Sequence, residues 1–215
     1  KIANGAVDNA TGVAAILEFA KRFSEIETER SVMFLAVTLE ESGLLGSEYF
    51  AKYPPIDLSN IVAGFNYDAI LPTGLTNDMV VVGYGASELE DLLEDELSKS
   101  GRYINPDPNP DKGYFYRSDH ISFAKRGVPV LYADGGFDLV DGGKEAGFII
   151  EDQYRLDAYH GVADEYNESW NLDGLNQSID VIFNISNELA NNSQWPNWYE
   201  GNEFKSIRDV SRSGK

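Results

Sequence analysis

The stretch SVMFLAVTLEESGLLGS, residues 31–47, carries a nearly unbroken apolar, β-branched run into two adjacent glutamates, Glu40 and Glu41. A run of that length and composition predicts a buried strand over 31–38 with both carboxylates at its carboxyl end. Working outward, GAVDNATGVAAILEFAKRF (5–23) places Val13, Ile16, Leu17, Ala20 and Phe23 at helical spacing, so 9–23 reads as an amphipathic helix with Asp8 at its N-terminal edge. NIVAGFNYDAI (60–70) repeats the design of an apolar run that ends on a carboxylate, Asp68, and MVVVGYG and VPVLYA are strand-like too. SELEDLLEDELSKSG reads as a helix capped by Ser87 and closed by Gly101. DHISFAKRG reads as a short helix, and NQSIDVIFNISNELANN as a terminal helix with Ile179, Ile182, Phe183, Ile185 and Leu189 on one face. Residues 102–120 predict a long surface loop, residues 135–170 an irregular segment, and QWPNWYEGNEF an aromatic tail packed on the body. Helices alternating with apolar strands predict an α/β protein, three layers α/β/α around a mixed, mostly parallel sheet.

The 215 residues, 42% hydrophobic and 12% aromatic, suffice for a sizeable core and read as one domain over 1–215. A formal charge of −19 repels phosphate backbones and anionic membranes, which argues against nucleic acid as a partner. No apolar run approaches the ~20 residues of a membrane span, so membrane insertion is not expected. The chain has no cysteine, so a metal here would be held by Asp, Glu and His alone.

In an open α/β sheet, ligands bind outside the carboxyl ends of the strands. Glu40, Glu41 and Asp68 fall at such ends, and Asp8 sits at a helix start. Four carboxylates sharing one crevice repel unless a multivalent cation lies between them. With an imidazole added, the donor set suits zinc, or equally manganese or cobalt, in a pair about 3.5 to 4 Å apart. Taken singly, Asp8 reads as a helix cap, Glu40, Glu41 and Asp68 as turn residues, and His160 as a surface histidine. Their joint placement reverses those readings.

The motifs GAVDNATGVAAILE, LEESGLLGSEYF, NYDAI, SDHISFAKRGVPVLY and YHGVADEY, in that order, resemble the co-catalytic dizinc aminopeptidases of the aminopeptidase Y and aminopeptidase S type. The resemblance implies a zinc exopeptidase fold and hydrolysis of N-terminal residues from peptides. Asp8 looks like the aspartate that bridges both metals, Glu41 and His160 like ligands of one metal, and Asp68 like a ligand of the other. Glu40 looks like the general base that takes a proton from the attacking water and returns it to the leaving amine. Tyr159 is similar to a tyrosine that in some members hydrogen-bonds the developing oxyanion, and it equally fits an aromatic wall. Asp119 and His120 look like supporting residues, with helix capping by Ser118 or Asp119 as the alternative. Asp164 has the place of an aspartate that orders the His160 loop, and Arg117 is a candidate to receive a substrate carboxylate, with surface solvation as the alternative.

The family carries a His-x-Asp upstream of its GAxDN segment, whereas the two histidines here are His120 and His160. On the resemblance, Asp8, Glu41 and His160 complete one zinc site, and the second keeps Asp8 and Asp68. The chain is therefore expected to be a fragment lacking the opening strands of the sheet, with an apolar edge through which it self-associates, the alternative being a degenerate member that binds one metal or none. A secreted or periplasmic location is implied by the family alone. Two rival functions remain open: a glutaminyl-cyclase-like zinc acyltransferase, and a non-catalytic pseudo-peptidase domain that binds a partner.

Overall fold

The computed structural model describes residues 2–214. Its sheet is built from β1 (Gly64–Asn66), β2 (Asp78–Val81), β3 (Tyr103–Pro106) and β4 (Val130–Tyr132). β1 pairs parallel with β4, and β2 parallel with β3. The two pairs join through antiparallel contacts, with Val82 N donating to Tyr132 O at 3.0 Å and Asp134 N to Val80 O at 2.9 Å. The spatial order is thus β1-β4-β2-β3, a mixed sheet in which parallel pairing dominates, as the alternation of elements predicted.

The pleat sends Met79, Val81, Leu131 and Ala133 to one face, where they form the main core with helices α1 (Ala10–Ser24), α3 (Leu89–Ser98) and α6 (Asp173–Ala190). The predicted face of α6 is the buried one: Leu175, Ile179, Ile182, Ile185 and Leu189 all lie in this core, and Phe183 packs against it. Each such aliphatic side chain contributes about 1.5–3 kcal/mol relative to exposure. Val80, Val82, Val130 and Tyr132 point to the opposite face. That side carries α2 (Leu45–Lys52), α4 (Ile121–Ala124) and the tail, in which Trp198 and Phe204 are buried as expected.

Several expectations change. Residues 31–38 do not form a strand: no ladder partner runs beside them among the described residues, and Met33 and Phe34 stay 49% and 39% exposed. Their backbone is tied only around its ends, by Arg30 N to Ala190 O and Gly46 N to Thr38 O, both 2.9 Å. A continuous apolar run needs cover on both faces, and here it forms one wall of an open groove whose other side is β1. The buried stripe of α1 is Thr11, Ala15 and Phe19, whereas Val13 and Leu17 are exposed.

Ser87 does not cap α3 through its side chain. Glu90 folds back instead, its carboxylate accepting from the backbone N–H of Gly85, Ala86 and Ser87. The long loop contains β3, which its prolines and asparagines obscured. The middle of the segment read as irregular forms α5 (Gly143–Asp157), a helix entered through Gly142 at φ +105°. Its buried residues are Gly147 and Glu151, so no apolar periodicity announced it. A last helix, α7 (Lys205–Arg212), follows the aromatic tail. No helix among the described residues is long and apolar enough to cross a membrane.

Candidate metal centre and its cleft

Two residues beyond β1 the chain presents Asp68. The turn that leads into α2 presents Glu40 and Glu41, the start of α1 presents Asp8, and the loop after α5 presents His160. All five line one cleft. Three of them converge: His160 Nε2 lies 3.3 Å from Asp8 Oδ2 and 3.0 Å from Glu41 Oε1. The donor set fits zinc, since these separations approximate the ~3.3 Å edge of a tetrahedron with bonds of about 2.0–2.1 Å. One ligand atom from each of Asp8, Glu41 and His160 falls within 4.8 Å of the others, and Asp68 lies outside that group.

The backbone around the site is left-handed at non-glycine residues: His160 itself at φ +54°, Ala69 after Asp68 at +51°, and Leu39 before Glu40 at +60°. Such conformations cost on the order of 1–3 kcal/mol each and persist where the surroundings over-determine them. Those surroundings are specific. Asp164, 3% exposed, accepts from Val7 N at 2.8 Å and Asp8 N at 3.0 Å, and the Tyr154 hydroxyl donates to it at 3.3 Å. It thus orders the Asp8 turn directly.

Asn9 caps α1, its Oδ1 accepting from Gly12 N at 3.0 Å and Ala69 N at 3.2 Å while its Nδ2 donates to Tyr67 O at 2.9 Å. One amide therefore ties the helix to the turn that carries Asp68. Gly12 makes the approach possible, because a Cβ there would sit 2.4 Å from Asn9 Oδ1 and 2.8 Å from Tyr67 O. Asp68 Oδ2 accepts from Ser118 Oγ at 2.7 Å, and that hydroxyl accepts from Asn66 Nδ2 at 2.8 Å. Ser118 is thus a support for Asp68; neither it nor Asp119 caps α4, which has no side-chain cap. The Asn9 clamp was overlooked, although an asparagine just ahead of an apolar helical period is a readable cap signal.

Crowding sets the electrostatics. Burial, and then Asp68, Glu41, Asp119 and Asp8, push the Glu40 carboxyl up to about 7. Burial likewise takes Asp68 to about 6, against the hydrogen bond from Ser118, with Asp8, Asp119 and Glu41 adding to the rise. Asp8 is raised by burial and by Glu41, with His160 opposing. A bound cation would relieve this mutual repulsion. Tyr159 stacks on the His160 ring, centroids 3.8 Å apart, and burial raises its phenol to about 12, so it remains an O–H donor at neutral pH. His120 is no ligand here: it is 2% exposed, sits between Phe115 and Tyr132, and is driven down to about 3 by burial. Arg117 lies at the rim, exposed and without an ion pair among the described residues.

Residues 1–186 match peptidase family M28. The chain belongs to that family. It is 27% identical over 177 residues to leucine aminopeptidase 2 of Trichophyton equinum, covering 74% of this chain and 34% of that protein. A probable zinc metalloprotease of Pyrenophora tritici-repentis is 38% identical over 68 residues, 32% of this chain and 16% of that protein. The chain thus spans about a third or less of the length of these relatives. Among solved structures, an aminopeptidase from Aneurinibacillus sp. strain AM-1 superposes with a TM-score of 0.66 at 22% identity, over 90% of this chain and 42% of that one. A glutaminyl cyclase of Porphyromonas gingivalis reaches 0.55 at 17% identity, over 88% and 65% respectively. These structural likenesses establish the α/β zinc-exopeptidase fold.

Proposed function

We propose that the chain carries the catalytic centre of a zinc-dependent aminopeptidase. The observation that supports this most directly is the meeting of Asp8, Glu41 and His160 beside the free carboxyl of Glu40 in one cleft. Asp8, Glu41 and His160 would hold zinc, and Asp8 with Asp68 would contribute to a second site; when bound, the metal would supply a Lewis acid for the scissile carbonyl and lower the pKa of water. Glu40 takes the proton of the attacking water and returns it to the leaving amine. Tyr159 donates a hydrogen bond from its hydroxyl to the oxyanion that develops on the carbonyl. Asp164 and Asn9 hold Asp8 and the Asp68 turn in place by hydrogen bonds to their backbone. The substrates are peptides with a free N-terminus, and the reading carries with it the secreted or periplasmic location expected of the family.

The glutaminyl-cyclase-like reading draws on the same three-ligand set. The peptidase reading is preferred because Asp68, which a single-metal site would not need, lines the same cleft with an ordered hydrogen bond from Ser118. Hydrolysis of leucine p-nitroanilide against cyclisation of an N-terminal glutaminyl peptide separates the two. Glu40→Gln is expected to lower kcat about 10²–10⁴-fold while zinc content, measured by elemental analysis, is retained. Zinc-loaded protein that cleaves nitroanilides equally well with and without Glu40 would refute the mechanism.

A further inference from the structure

In the same cleft, Val80, Val82, Tyr132 and Phe137 form apolar wall and Asp134 adds a carboxylate. Asp134 lies two residues beyond the end of β4, and its N–H donates to Val80 O, so its side chain leaves the sheet on the same face as Tyr132, into the cleft. Its Oδ1 is buried with no hydrogen-bond partner. Burial pushes this carboxyl well up, and the neighbouring carboxylates Asp68, Glu151 and Asp107 push the same way.

The cation that acts on Asp134, Arg155, is already committed. Arg155 gives Nε and Nη2 to Glu151 Oε1, both at 2.7 Å, and its guanidinium lies over the rings of Tyr114 and Tyr159 at 5.0 and 5.4 Å. Asp107 is engaged with the backbone N–H of Asn109 at 2.8 Å. A buried carboxyl oxygen without a partner is costly, and a cation delivered to it from outside restores the charged form and satisfies it. A side chain with an apolar stem and a cationic head matches both the walls and the floor.

Resting on the aminopeptidase reading, we propose that Asp134 determines specificity and selects peptides whose N-terminal residue is lysine or arginine. The stem lies along Val80, Val82 and Phe137, and the ammonium or guanidinium donates to the Asp134 carboxylate.

Calorimetric titration of this chain with L-lysinamide and L-norleucinamide tests it, since the two share an α-ammonium and a stem and differ only in the ε-ammonium. Lysinamide is expected to bind about 10- to 100-fold tighter, the range for a hydrogen bond to a charged group. Asp134→Asn, checked for native circular dichroism, is expected to bring the ratio within about 2-fold and leave norleucinamide unchanged. Equal affinity of the two amides, binding of neither, or a ratio that survives Asp134→Asn overturns the proposal. So does an equal loss for both amides in that variant, which would assign Asp134 to the α-ammonium. Zinc-loaded protein is assayed in parallel on lysine, arginine and leucine p-nitroanilides. A lysinamide preference without hydrolysis of any of them sinks the aminopeptidase reading and leaves the cation site standing. Hydrolysis with no preference for the basic residues does the reverse.

Discussion

Replacing Asp164 by alanine removes the acceptor on which the Asp8 turn hangs. Its two carboxylate oxygens take the N–H groups of Val7 and Asp8, at 2.8 and 3.0 Å, in a site where Val7 and Asp164 are 2% and 3% exposed. Each bond has a charged acceptor and is worth about 1.5–3 kcal/mol, so losing both costs about 3–5 kcal/mol once partial rescue by water is allowed for. For a chain of this size, 1 kcal/mol moves the melting temperature by about 2–4 °C, which places the expected drop at about 6–20 °C. Asp8 would then be free to leave the position it shares with Glu41 and His160, and zinc affinity should fall about 10- to 100-fold, as for other partners that orient a metal ligand.

Asp164→Asn separates geometry from charge, since one acceptor oxygen survives and the charge does not. It is expected to lose about half the stability and to weaken zinc less than the alanine variant. Thermal and urea denaturation of the metal-free protein, with zinc titration against a chromophoric chelator, supply the readouts. Stability within about 0.5 kcal/mol of the parent and zinc affinity within 2-fold would show that Asp164 does not position the ligand.

Two further outcomes follow from the same structure. Burial holds His120 near pKa 3 in the fold against about 6.5 unfolded, so the unfolded chain gains its proton first as pH falls. Stability from this group is therefore full above pH 6.5 and lost progressively towards 3, about 2 kcal/mol of it by pH 5. His120→Leu should shrink the stability difference between pH 7 and pH 5 by that amount in urea titrations, and an unchanged difference would contradict the assignment. Gly12→Ala would gain about 1 kcal/mol in an unconstrained helix. Here the added methyl meets Asn9 Oδ1 and Tyr67 O, so we expect a net loss of about 1–3 kcal/mol. A stabilised variant would show that the clamp at Asn9 yields.

The carboxylates that line the cleft were legible because each stands at a boundary that local physics marks. Asp8 precedes a helical period, Asp68 ends an apolar run, and Glu40 and Glu41 end another. Their supports were less so. Ser118 and Asp164 stood out only beside neighbouring motifs, and Asn9 was hidden behind the more conspicuous Asp8. Helix α5 escaped because its buried side is Gly147 and Glu151 rather than a stripe of aliphatics, and β3 because proline and asparagine fill it. The reading of 31–38 as a buried strand failed for a different reason. Apolarity signals that a segment needs cover, but only the rest of the fold can provide a neighbour, and none lies beside it among the described residues.

By itself, then, the sequence determined the α/β class, the chain order of the candidate metal donors and the exclusion of cysteine sulfur as a ligand. These depend on periodicity and side-chain chemistry, which are local. The tertiary structure decided that Asp8, Glu41 and His160, up to 152 positions apart in number, share one point in space. It also decided that Asp68 stands outside that group and that Asp134 faces the cleft with a buried, unpartnered oxygen. Those facts depend on how helices and strands pack around Asn9 and Asp164, and packing at long range leaves no periodic trace in the chain.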